Sequence, residues 1–155
     1  MTPLTDGHEV IAAALARQIA VLGLGTYEGV GTGAPVTLGD GNGMPPSPNT
    51  CWTVYTLPSF PRAEPTIDYE TPEVQAVYRT ASDVSPLARP GFEMVDRLRR
   101  ALDGTDNTRW ADSTVDEVDV LTCDASSSAP VPLGPDPQGR PRWSVSFQLE
   151  TPIRR

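Results

Sequence analysis

From Trp143 to Glu150 the chain alternates apolar and polar residues without a slip. Trp143, Val145, Phe147 and Leu149 fall on one side, and Ser144, Ser146, Gln148 and Glu150 on the other. A period of two predicts an antiparallel strand with one buried face. "EVQAVYRTA" sets Val74, Ala76 and Tyr78 against Gln75, Val77 and Arg79, which predicts another strand. "CWTVYTLP" is β-branched and aromatic and predicts a strand that Pro58 ends. "STVDEVDVLTCDA" predicts one around Val118 and Val120, with Val115, Leu121 and Cys123 on the other parity.

Two stretches carry the helical period instead. Asp6 and Glu9 form a capping-box-like start, and Ile11, Leu15, Ile19 and Leu22 follow at helical spacing. Val10, Ala14 and Val21 widen that stripe, and Gly23 suits the position just past a helix end. The first helix is therefore expected over about Gly7 to Leu22. The second lies within "SPLARPGFEMVDRLRRALDG", with Phe92, Val95, Leu98 and Leu102 on one face and Gly104 as its stop. Ser85 and Pro86 offer a start, although Pro90 and Gly91 place the regular part after them. The expected fold is α+β in the order α-β-β-α-β-β. It is a four-stranded, mainly antiparallel sheet covered on one face by two helices, with long Pro/Gly-rich loops.

At 155 residues the chain is read as one domain, 1–155. Its 17 Pro and 13 Gly concentrate in loops. The stretch 23–49 is expected either as a flexible excursion or as a loop ordered only by a neighbouring molecule. Residues 129–141 read as a rigid Pro/Gly-rich connection before the last strand. The formal charge is -8, and all 12 basic residues are Arg. Such a chain lacks the electrostatic drive for nonspecific nucleic-acid binding. No run reaches the roughly 18 apolar residues of a membrane span, and the first helix lacks a basic leader, so a soluble intracellular protein is expected.

Candidate chemistry is sparse. His8 is the single histidine and reads as a solvated side chain. Cys51 and Cys123 have no CxxC partner and read as reduced thiols. With one His they form no zinc site, and no cofactor is expected. "GDGNG" lacks the acidic series and closing Glu of a calcium loop. "GLGTYEG" follows a helix, where a dinucleotide fingerprint must follow a strand. Asp112, Asp116, Glu117 and Asp119 make no matched pair, so nothing points to an enzyme. Arg97, Arg99 and Arg100 make a basic patch on helix two, and Arg154 with Arg155 a basic tail.

Three segments in a fixed order carry a resemblance. They are "WTVYTLPSFP", then "VQAVYRTASD" with the helix ending "RLRRALDG", then "PLGPDPQGRPRWSVSFQL". Together with the N-terminal helix they resemble the tail terminator proteins of long-tailed bacteriophages, also called minor capsid or head–tail joining proteins. The likeness runs in element order from Asp6 to Thr151, and the insert Gly29 to Asn49 has no counterpart in it.

The resemblance implies a structural virion protein at the tail–neck junction, assembled in the host cytoplasm. It implies a homo-oligomeric ring, a hexamer, on the head-proximal end of the tail tube. The ring would stop tube growth, contact the major tail tube protein and offer a docking surface to the head-tail connector. Genome DNA would pass its acidic channel without specific binding. Pro132, Leu133, Asp136, Arg140 and Arg142 are then candidates for the subunit interface, with Arg97 and Arg100 on helix two. Arg140 and Arg142 are expected to reach acidic groups on the next subunit. A head-completion or stopper protein of the neck, and a small intracellular ligand-binding or regulatory domain, are the alternatives.

Overall fold

A computed structural model describes residues 7–39, 43–57, 69–82, 89–110 and 118–152. Helix α1 (Gly7–Val21) opens the chain. It is followed by β1 (Thr26–Tyr27), β2 (Val30–Gly31), β3 (Val36–Leu38), β4 (Cys51–Leu57), β5 (Tyr69–Glu70) and β6 (Glu73–Arg79). Helix α2 (Pro90–Leu102) leads to β7 (Thr105–Trp110), β8 (Val118–Ala125), β9 (Val131–Pro132) and β10 (Arg142–Pro152). The main sheet runs β3-β4-β6-β10-β8-β7, and the short β5 and β9 pair with the two ends of β10. Only β3 against β4 is parallel among the paired strands. Strands β1 and β2 form a separate hairpin, whose turn residues Glu28 and Gly29 both have positive φ, as a tight two-residue turn requires.

The four-stranded sheet and the α-β-β-α-β-β order are therefore wrong. Among the described residues, six strands lie on the main path and two more flank it. The additional strands share a physical signature: they draw their pairing from a neighbour and not from their own pattern. Strand β3 is three residues inside the Gly/Pro-rich stretch, held by the ladder of β4. Strand β7, "TDNTRW", is an edge strand with exposed Asp106, Asn107 and Arg109 and a buried Trp110. A polar edge shows no alternation and resists edge-to-edge pairing. Stretch 23–49 is likewise not one excursion, since its described residues hold β1, β2 and β3.

Local signals set the helix ends. Leu24 N–H bonds the Ile19 carbonyl and Gly23 N–H that of Ala20, with Gly23 at φ 76°, a Schellman closure of α1. Ile11, Leu15 and Ile19 are buried, but so are Ala12, Ala13, Ala16 and Ala20, so α1 is covered nearly all round. Val21 and Leu22, expected on the buried stripe, are exposed where the helix stops. The Asp6 cap and the Ser85–Pro86 start lie outside the described residues.

Both helices pack on one face of the sheet. That face brings together Trp52 and Val54 of β4, Val74 and Ala76 of β6, and Val145, Phe147 and Leu149 of β10. Trp52 lies 4.8 Å from Tyr78 between ring centroids and donates Nε1–H to the Leu24 carbonyl, tying the hairpin region to the core. Both parities of β8 are buried, at Val120 and at Cys123. The change falls at Leu121, opposite Asn107, whose φ of 51° interrupts the ladder.

The close approach of α2 depends on Gly91. A Cβ there would lie 2.5 Å from Cδ1 of Trp143, whose ring stacks edge-on against Phe92. Gly91→Ala gains at most about 1 kcal/mol of helix propensity and is opposed by overpacking of about 1–3 kcal/mol. We expect a net loss of stability in urea denaturation; a gain would mean that Trp143 moves aside freely.

Candidate functional site

On β6 the face away from the helices presents Gln75, Val77 and Arg79. A solvated strand face would leave all three exposed, yet Val77 is 4% and Arg79 2% accessible. Two proline loops cover this end of the sheet, one at 43–50 before β4 and one at 133–141 before β10.

Arg79 holds the first loop. Its Nε donates to the Asn49 carbonyl (3.0 Å), and Nη2 donates to the carbonyls of Pro45 and Pro48 (2.7 Å each). Its Nη1 lies 3.9 Å from Oδ2 of Asp136 in the second loop. A guanidinium carries five N–H donors in a fixed fork, which suits several carbonyls at once.

Asp136 and Arg140 close the second loop on itself and onto the first. Oδ1 of Asp136 accepts the backbone N–H of Gln138 (3.0 Å) and of Arg140 (2.9 Å), an Asx-type turn. Its Oδ2 accepts Nε–H of Arg140 (2.7 Å). Nη1 of Arg140 continues to the Pro46 carbonyl (2.8 Å) and to Oδ1 of Asn49 (3.2 Å). Gly139, at φ 78°, makes the turn that brings these groups together. Arg142 donates to the carbonyls of Gly134 (3.2 Å) and Leu133 (3.5 Å). Between the loops and the sheet lies a cleft of about 440 Å³. Tyr55, Gln75, Val77, Arg79, Arg140 and Arg142 line it with Asp136, Gln138, Met44, Leu133, Pro46 and Pro137.

Burial alone would raise the Asp136 carboxyl, but hydrogen bonds from Arg140 and Gln138 outweigh it and hold the group below its usual 3.8. Burial pushes the Cys51 thiol up, partly offset by Arg79 and Arg140. Cys123 is pushed up to about 12, by burial first and by Asp124 and Asp103 after it. Both thiols are fully buried and unpaired with each other. Among the described residues no three His, Cys, Asp or Glu come together as a metal site, and no helix is long and apolar enough to cross a membrane.

The candidates named from sequence separate into groups. Asp136, Arg140 and Arg142 meet at the cleft, and Pro132 and Leu133 stand exposed beside it. Arg140, expected to project beside the loop, is instead turned inward and bonded within its own chain. On α2, Arg99 and Arg100 both bond Asp96, at 2.9 and 2.7 Å, while Arg97 is exposed. Asp119 pairs with Arg109 at 3.0 Å. The side chain of His8, the "GDGNG" stretch from Asp40 to Asn42, Asp112, Asp116, Glu117, Arg154 and Arg155 lie outside the described residues.

Sequence reasoning missed the anchoring roles of Arg79 and Asn49. One signal was present: Val77 is apolar on the face that should have been polar, which marks that face as covered. No protein-family model and no curated protein matches the chain.

Replacing Arg79 by Met keeps bulk and removes its donors to the three loop carbonyls of Pro45, Pro48 and Asn49. We expect a loss of about 2–3 kcal/mol in denaturant unfolding; a loss under about 1 kcal/mol would mean that water serves these carbonyls equally well.

Asp136 has a depressed folded pKa, so its contribution is present above the usual 3.8 and is lost as pH falls through and below that value. In an NMR acid titration the amides of Gln138 and Arg140 should lose their downfield shifts there, and Asp136→Asn should abolish the step. Persistence of the step in that variant would assign it to another carboxylate, such as Asp96, where hydrogen bonds from Arg100 and Arg99 outweigh the raising effect of burial.

Proposed function

We propose that this chain is a tail terminator of a tailed-phage particle. It is a structural ring subunit that closes the head-proximal end of the tail tube and receives the neck connector. The observation that carries the reading is the ordered resemblance of its segments, above all the stretch "PLGPDPQGRPRWSVSFQL". That stretch coincides with the loop that Asp136 and Arg140 fix to the body.

A ring subunit gains from presenting surfaces already ordered, because less conformational entropy is lost on docking. Five prolines between Pro130 and Pro141 stiffen this loop, and its first residues hold Val131 and Leu133 at 42% and 38% exposure. A second exposed apolar set, Val21, Leu22 and Val30, sits on the end of α1 and the β1–β2 hairpin. Head-to-tail contacts in a closed ring join two different patches, and these two sets are candidates for such a pair. The acidic balance of the chain suits a channel through which DNA slides without sticking.

Antibody-gold labelling of intact particles and separated heads and tails tests the reading. Label at the head-proximal end of isolated tails is the expected result. Label that stays with heads would transfer the chain to the neck as a stopper protein, and absence from particles would overturn both assignments.

A further inference from the structure

The cleft under the two loops carries an unbalanced charge. Arg79 and Arg140, 2% and 5% accessible, share the carboxylate of Asp136, and Arg142 adds a third guanidinium at the same cleft. With three guanidiniums and one carboxylate among the charged residues lining it, the cleft holds a net +2 within a chain of net -8. Proline and asparagine carbonyls solvate part of this charge but cancel none of it. Buried guanidiniums are expensive unless an anion completes the set.

The donors are not exhausted either. Nη2 of Arg140 and Nη1 of Arg142 make no hydrogen bond among the described residues, and Nη1 of Arg79 has only the 3.9 Å approach to Asp136. None of the three is a fully sealed, unpartnered atom, and all three residues line the cleft. The volume of about 440 Å³ falls in the range of ligand sites. Its walls are mixed: Gln75 offers an amide, while Met44, Val77 and Leu133 offer apolar surface.

We propose that this cleft binds a carboxylate attached to an apolar group, as presented by the C-terminus or an acidic side chain of a peptide segment. Guanidinium forks match the planar carboxylate, and the apolar walls accept the carbon that bears it. A bare phosphate would use the charge but leave the apolar walls without a partner. The assignment goes beyond the particle-assembly reading and stands whether or not that reading holds.

The test is an NMR titration of the isotope-labelled full chain. The probes are N-acetylleucine, carrying a terminal carboxylate, and N-acetylaspartate amide, carrying a side-chain carboxylate. N-acetylleucinamide and inorganic phosphate are the controls. Saturable shifts are expected at the Gln75 side-chain amide and at the Nε–H of Arg79, Arg140 and Arg142, with both carboxylates and not with the neutral amide. The tighter of the two carboxylates identifies the source. Arg142→Gln, chosen because its carbonyl contacts are long, should weaken binding roughly tenfold at unchanged melting temperature. The wild-type titration decides alone if that variant does not fold. Equal binding of the neutral amide, preference for phosphate, or shifts that never saturate would each overturn the proposal.

Discussion

Proline supplies a carbonyl acceptor and no N–H donor, so a proline-rich loop lying on a protein must import its donors. Residues 43–50 include Pro45, Pro46 and Pro48, and three of their carbonyls are served by guanidinium groups from elsewhere in the fold. Those groups come from Arg79 at the end of β6 and Arg140 just before β10, two strands that are neighbours in the sheet. The sheet register sets Arg142 opposite Arg79, Arg140 lies two residues before that pair, and Arg79 and Arg140 fix the loops. The cleft, the rigid connection into β10 and the outward placement of Leu133 all follow from that arrangement.

One consequence concerns specificity more than stability. Charged groups under a loop are a weak source of net folding energy, because desolvation offsets much of their attraction. A guanidinium with several acceptors is demanding in direction, however, and permits few loop positions. For the ring subunit we propose, a single loop position in every copy matters more than a large free energy.

Much of the fold was legible from period alone. The interior of β10, the span of β6 and the end of α1 at Gly23 were each carried by their own residues, while α2 already includes Pro90 and Gly91, which were expected to precede it. What was not legible had no local code. Strand β3 exists because β4 offers a free edge, and β7 exists because Gly104, bonded to the Cys123 carbonyl, turns the chain back along β8. The candidate site divides in the same way. Asp136 and Arg140 were named as candidates, but Arg140 was assigned to contacts with a neighbouring subunit, and its local bond to Asp136 four residues away, around Gly139, was not read. The link from Arg140 to Pro46 spans 94 residues and is set only by the topology.

The cleft and the rigid connection into β10 require the loops to be part of the folded body, and amide hydrogen exchange measures that directly. In the loop, Leu133, Asp136 and Gly139 donate to backbone carbonyls, and Gln138 and Arg140 donate to Asp136. If the anchoring is as described, these amides exchange far more slowly than an unstructured chain, and Arg140 approaches the protection of the neighbouring β10 amides. Exchange of all five at random-coil rates, with β10 fully protected, would contradict it.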